Sequence, residues 1–506
     1  MFRIVAITAF FFAISVRFLF AQDTTSFAYV DRISYQQYNE QNWNALIKTG
    51  LNAIANGLDY YFLRMRIGIA YYEKKNYVAA QNHFEKALEF DPSNETALEY
   101  MYFSYLFSGR DGDAQKLAYT FSPEMKKRLG LKIPAFLAGV HPEGGYSKSE
   151  AYDFSKDLNL LREDSIMGKN DFIHTTFFYT IGISHIPSKA VKIFHAFSNF
   201  IFSKNYQFQN VQPDFNFPVK TINNGQITDT TIKKKVNSTF EDYKLNQKQY
   251  YLNFSFYPGK GNTWSPFLHI INLQYPAYHE ANVIKTSPAL VQIITASGDT
   301  NYNTINMSYP SVNITKTDTG FTDFIIGLSY SKAISKFNFG VYAALSKINA
   351  KQQQQFGLSA LYMPLGNKNL YFIGNLTNWN EITSTTSGRG RRATTTRTTE
   401  SRLIYEQIAG FKIFSKLWTE LSATFGTISN FHERNAYIVY NNIEKIKQKY
   451  TVSLFVILKP NIEVSLRYGI KELENTYQSW SEPEAYSKYS YKYFSHTLTG
   501  GIKWKF

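Results

Sequence analysis

His496-Thr-Leu-Thr-Gly-Gly-Ile-Lys-Trp-Lys-Phe506 closes the chain. Leu498, Gly500, Ile502, Trp504 and Phe506 share one parity; Thr497, Thr499, Gly501, Lys503 and Lys505 share the other. A strand points alternate side chains to opposite faces, so one face here is apolar and the other small and polar. The same period of two recurs upstream. Ile462, Val464, Leu466, Tyr468 and Ile470 oppose Glu463, Ser465, Arg467 and Gly469. Phe337, Phe339, Val341, Ala343 and Leu345 oppose Asn338, Gly340 and Tyr342, and Leu252, Phe254 and Phe256 oppose Asn253 and Ser255. Soluble sandwiches alternate too, but rarely in so many segments of about ten residues or more.

The start of the chain narrows the choice. Met1-Phe-Arg3 is a short positive opening, and Ile4 to Val16 is an apolar run too short to span a bilayer comfortably. Leu19-Phe20-Ala21 precedes Gln22-Asp23, so residues 1–21 read as a signal peptide cleaved after Ala21, with an uncleaved anchor as the alternative. The chain contains no cysteine, which excludes lipoprotein acylation, disulfides and thiolate metal sites. No later apolar run reaches the roughly 18 residues of a membrane helix. For an exported chain without such a helix, a closed barrel is the remaining way through a membrane, since lipid cannot satisfy an open backbone. Aromatic residues make up 17% of the chain, more than a soluble core needs, and barrels place them on lipid faces and interfacial girdles. The net charge of +15 suits an acidic surface or anionic glycan; an exported protein rarely meets nucleic acid.

Counting period-two segments from 132 to 506 gives about 14 strands, with 12 to 16 compatible with the pattern. The expected spans are 134–147, 172–185, 188–204, 244–257, 263–275, 322–333, 336–348, 351–363, 368–380, 402–414, 416–428, 446–458, 461–473 and 493–506. Short turns are expected at His185-Ile-Pro187, Pro258 to Asn262, Ile334-Ser335, Pro364 to Asn367, Ser415 and Lys459-Pro460. Long polar loops are expected near 148–171, 205–243, 276–321, 381–401, 429–445 and 474–492. Short turns on one rim against long loops on the other are the topology of an antiparallel transmembrane barrel.

Residues 27–128 have a helical period instead. Ile67-Gly68 and Tyr71 are followed by Tyr77, Ala80, Phe84, Ala87 and Pro92. Small Gly68 and Ala80 suit a close helix crossing, Tyr71 and Phe84 fill the space between, and Pro92 ends a helix. These spacings resemble the tetratricopeptide repeat, with Arg64 where that family often has Trp. Stepping 34 residues either way extends the pattern to Trp43, Leu46, Gly50 and Ala53, and to Leu98, Tyr105, Ala114 and Ala118. Three repeats follow, 27–60, 61–94 and 95–128, about the minimum that buries a continuous core by stacking. The resemblance implies a protein- or peptide-binding face; a spacer packed on the barrel is the alternative. His83 reads as a surface histidine.

Ile502, Trp504 and Phe506 also resemble the closing strand of outer-membrane barrels, the signal read by the barrel-assembly machinery. A signal peptide, periplasmic tetratricopeptide repeats and a C-terminal barrel together are similar in architecture to YaiO-type proteins and polysaccharide export porins. That resemblance implies a Gram-negative outer membrane, contacts with its lipid and lipopolysaccharide, and a channel or export barrel passing a polymer or solute. The alternative is a plugged barrel that anchors a repeat scaffold. Candidate lumen charges are Glu406, Lys412, Glu420, Glu463 and Arg467. Arg389, Arg391, Arg392 and Arg397 form a basic cluster in a Thr- and Gly-rich outer loop, suited to phosphates or an anionic polymer. No Gly-x-Ser-x-Gly or His-Glu-x-x-His occurs and the nine histidines are scattered, so no catalytic site, metal or cofactor is expected; an outer-membrane enzyme with groups assembled from separate strands is the third and least favoured alternative.

Overall fold

The computed structural model describes residues 26–155, 157–162, 165–217, 219–222, 229–294, 299–387, 394–441, 444–482 and 485–506. The expected signal peptide and Arg389, Arg391 and Arg392 lie outside them. Among the described residues seven helices come first: α1 (Phe27–Asn39), α2 (Trp43–Ala55), α3 (Tyr61–Glu73), α4 (Tyr77–Phe90), α5 (Glu95–Phe107), α6 (Asp111–Ala118) and α7 (Pro123–Arg128). First helices begin at Phe27, Tyr61 and Glu95 and second helices at Trp43, Tyr77 and Asp111, a step of 34 residues in both series. Ser26, Asn42, Asn76, Asn94 and Ser122 each cap a helix by accepting a backbone N–H three residues on.

Between α3 and α4, Ile67, Ala80, Phe84 and Ala87 are fully buried, Tyr71 is half-buried against them, and Pro92 is exposed just beyond α4. A Cβ on Gly68 would stand 2.6 Å from Phe84 Cε1, so only hydrogen fits where these helices cross. Arg64, in the place expected for Trp, binds Asp59 through two nitrogens at 2.7 and 2.6 Å. It also reaches His83 Nδ1 at 3.3 Å. His83 is therefore not a surface histidine: it is 7% exposed and stacked on Tyr71. Burial, and then the Arg64 charge, push its pKa down to about 4. The α4 face that carries it is covered by α3, which no isolated polar residue reveals in sequence.

The strands are β1 (Ala135–Ser149), β2 (Met167–Ser188), β3 (Val191–Pro213), β4 (Val219–Ile222), β5 (Asp229–Thr231), β6 (Lys234–Gly259), β7 (Asn262–Ile294), β8 (Thr300–Ile334) and β9 (Phe337–Ile348). They continue as β10 (Lys351–Tyr362), β11 (Leu370–Ser387), β12 (Thr394–Phe414), β13 (Leu417–Ile428), β14 (Phe431–Glu433), β15 (Ile438–Tyr440), β16 (Lys445–Lys459), β17 (Ile462–Glu482) and β18 (Ala485–Lys505). A short helix, α8 (Ala151–Ser155), follows β1. Fourteen of the strands form a closed antiparallel barrel, sealed where β18 pairs with β1 from Gly139↔Lys505 to Ser149↔Ser495. Pro142 sits inside β1 after all. The missing rungs at His141 and Pro142 face β18, while pairing to β2 runs through both residues.

Face assignments follow the alternation. Leu466, Tyr468, Ile502, Trp504 and Phe506 are exposed on the outer wall, whereas Thr499 faces in and is buried. Exposed apolar side chains on every flank make that wall a lipid-facing belt, and no described helix is long and apolar enough to cross a membrane. Two expectations need correction. The β2–β3 turn is at Lys189–Ala190, because Pro187 and Ser188 remain in the strand. Much of 205–243, 276–321, 381–401 and 474–492 is not loop but continued hairpin. β7 and β8, 33 and 35 residues long, stay paired from Asn262↔Lys332 to Ile294↔Thr300. Beyond the lipid both faces meet water, so the apolar alternation stops while the backbone ladder goes on.

Candidate functional site: a lumen closed by its own loop

Inward positions along the strands are polar: Ser198, Gln247, Gln249, Gln353, Gln355, Thr424 and Thr499 are all buried there. Into this lumen folds the described part of the β13–β16 connection, residues 429–441, within the 429–445 stretch expected above as a polar outer loop. Its sequence is not uniformly polar, since Phe431 and Tyr437-Ile-Val-Tyr440 interrupt the Asn and charged residues. These pieces become β14 and β15, which pair from Phe431↔Tyr440 to Glu433↔Ile438. Arg434, Asn435 and Ala436 turn the hairpin with three successive positive φ angles, 52°, 55° and 63°. Such a run in non-glycine residues needs outside support.

That support comes from the wall. At the tip, His269 Nδ1 donates to the Ala436 carbonyl at 2.5 Å, and the Ala436 methyl is buried among Tyr251, Phe267 and Ile271. Along β14, Gln355 both donates to His432 O (3.1 Å) and accepts from His432 N (3.0 Å), imitating a ladder rung. At the base, Asn349 in the β9–β10 turn donates to Asn430 Oδ1 and Asn441 O at 2.8 and 2.7 Å. Trp379 Nε1 donates to Asn430 O at 2.9 Å, and Asn441 Nδ2 reaches Gln247 at 2.9 Å. Lys449 on β16 binds both oxygens of Glu433 at 2.7 and 2.6 Å, and both side chains are under a tenth exposed.

Two cavities of mixed apolar and charged lining flank the hairpin. One, of about 250 Å³, includes Glu143, Arg467, Lys471 and the hydroxyls of Ser147, Thr497 and Thr499. The other, of about 350 Å³, lies toward β9–β13. Glu406, Glu433 and Arg434 line both. The opposite mouth, on the short-turn rim, is crossed by helices. Gln115 donates to Ser188 O and Val191 O at 2.9 and 3.1 Å, and Asp113 accepts from Gly261 N at 2.9 Å. Farther round the rim, Gly366 O accepts from Val78 N, and Asn367 donates to Lys75 O at 2.7 Å.

Of the charges expected in the lumen, Glu406 and Glu420 both line the larger cavity, four residues apart in the ladder, and Arg467 lines the smaller. Arg467 pairs with Glu143 at 2.7 Å, while Glu463 lies opposite Lys503 in the ladder. Lys412 sits apart, over the Trp418 ring at 4.5 Å. Arg397 is exposed on the outer stretch of β12. The hairpin and its clamps (Asn349, Gln355, Trp379 and Lys449) went unseen in sequence; the apolar Tyr437–Tyr440 piece inside a loop was the available signal.

The sequence matches no family model and no curated protein. Among solved structures it is similar to a FadL homologue of Pseudomonas aeruginosa, at 7% identity and TM-score 0.39, over 80% of this chain and 94% of that one. It is similar to the toluene transporter TodX of Pseudomonas putida at 8% identity and TM-score 0.33, over 73% and 90% of the two chains. The outer-membrane protease OmpT of Escherichia coli is also similar, at 8% identity and TM-score 0.21, over 73% and 94%. Likenesses this remote assign no activity, so the geometry carries the functional reading.

Proposed function

We propose that this chain is an outer-membrane transport barrel, closed at rest, through which a small solute passes when the 431–440 hairpin withdraws from the lumen. The observation that carries this reading is the chemistry of the seal. A plug held by one ion pair and several hydrogen bonds, with a charge-bearing cavity on each side, can exchange its protein contacts for water at modest net cost. A permanent anchor has no need of charge-lined space.

In this reading the short-turn rim faces the periplasm, as in barrels generally. The helical hairpins, tetratricopeptide-like in their step, then offer a protein or peptide a docking face there. The lipid-facing Ile502, Trp504 and Phe506 suit the assembly signal, and the outer basic residues suit lipopolysaccharide or an anionic glycan. One observation favours the second reading, a plugged anchor bearing a scaffold: the helices are fastened across the mouth by several hydrogen bonds. Replacing residues 431–440 with a Gly-Ser linker decides between them in planar bilayers. Steady conductance from the shortened protein, against a silent parent, supports transport. A folded but silent shortened protein rejects it in favour of the anchor.

A further inference from the structure

The larger cavity, about 350 Å³ between the hairpin and β9–β13, carries charges that its own walls leave unbalanced. Glu406 accepts from Asn375 Nδ2 at 2.8 Å and Glu420 accepts from the Tyr371 hydroxyl, so both carboxylates are held by neutral donors. Glu433 is already taken by Lys449. Arg434 is the remaining cation in the lining, and among the described residues no ion pair joins it to Glu406 or Glu420. Two carboxylates against the one guanidinium whose field they share leave the cavity one negative charge in excess.

A second, independent feature points into the same space. His432 is 1% exposed, it lines the cavity, and neither ring nitrogen has a hydrogen-bond partner. Gln355 grips its backbone from both sides, which fixes the residue's place in the hairpin. A buried polar atom without a partner is costly and calls for an explanation, of which a bound group is one. The Phe431 and Tyr342 rings, centred 6.3 and 6.2 Å from the His432 ring, supply faces that attract cations. The described residues contain no group of three His, Cys, Asp or Glu side chains placed to hold a metal ion.

We propose that this cavity binds a small organic cation. Its ammonium group is drawn to Glu406 and Glu420, its body lies against Phe431 and Tyr342, and His432 makes the orienting hydrogen bond. Arg434 opposes binding by like charge. The site is complete in the closed barrel, so it rests on the cavity and not on plug movement, and a silent bilayer leaves it standing.

Isothermal titration of the refolded full-length protein in detergent, with phenethylammonium and its neutral isostere 2-phenylethanol, tests it. The ammonium should bind saturably at one site, about tenfold or more tighter than the alcohol. Glu406→Gln with Glu420→Gln should weaken it by a similar factor. Arg434→Gln should tighten it, an effect of opposite sign that keeps the test decisive where the double variant fails to refold. Equal binding of ammonium and alcohol, ammonium binding indifferent to these substitutions, or no saturable heat would overturn the proposal and leave a water-filled cavity.

Discussion

Glu433→Gln is the sharpest probe of the seal. The substitution keeps side-chain volume and an acceptor for Lys449 but removes the charge that Lys449 contacts through both oxygens. It strands that ammonium, 9% exposed, in the neighbourhood of Lys471. Breaking a buried pair from one side costs about 3–5 kcal/mol, because the surviving charge has lost its counter-ion. Lumen water relieves part of this, so the lower figure of about 3 kcal/mol is the one to use. With the hairpin withdrawn, Lys449 is hydrated and the penalty disappears. The whole cost therefore falls on the closed state, and the withdrawn fraction rises roughly a hundredfold at about 1.4 kcal/mol per decade. Planar-bilayer recordings of refolded protein read this directly as open probability. Adding Lys449→Met removes the stranded charge and should restore most of the closure. Two results refute the reasoning: a folded Glu433→Gln barrel as silent as its parent, or a double variant as open as the single one.

Three further outcomes follow from the helical unit. Gly68→Ala forces a methyl to within 2.6 Å of Phe84 Cε1, and overpacking should outweigh the helix-propensity gain by about 1–2 kcal/mol in urea unfolding followed by circular dichroism. His83 takes up a proton near pH 4 in the fold but near 6.5 when unfolded, so unfolding gains a proton between those values. The helical unit should hold full stability above pH 6.5 and lose up to about 3 kcal/mol as pH falls to 4, a slope that His83→Gln removes. Gly112→Ala would set a Cβ 2.2 Å from Tyr257 Cδ1 and lift α6 off the barrel; limited proteolysis between residues 129 and 134 should then accelerate, and unchanged cleavage would contradict that docking.

What the sequence discloses here follows what the solvent imposes. Lipid demands an apolar residue at every second position, so Ile462 to Ile470 and Leu498 to Phe506 declare both strand and face. Past the headgroups that demand lapses, and β7 and β8 run on through Asn, Thr and Tyr residues that look like loop. The lumen is harder still. Arg467 finds its carboxylate at Glu143, 324 residues away, and not at Glu463 four residues before it. Inward polar positions show which residues can pair, but barrel closure chooses the partners. The hairpin at 431–440 escaped for the same reason, since Asn349, Gln355, Trp379 and His269 converge on it from four separate segments.

The same strands carry both closures. β6, β7, β10 and β11 hold the hairpin through Gln247, His269, Gln355 and Trp379. Their turns at the other rim receive α6 and the α3–α4 turn through Gly261 and Asn367. A strand within a closed ladder is stiff along its length, so those turns have a direct covalent path to where the hairpin is gripped. Spatial connection alone does not establish energetic coupling. Gly112→Ala separates the cases, because it acts only at the helix–barrel contact. Undocking accompanied by opening events would make the helices part of the gate, and a partner docked on them could then control passage. Undocking with an unchanged silent barrel would leave the hairpin as an independent seal, opened from within the lumen.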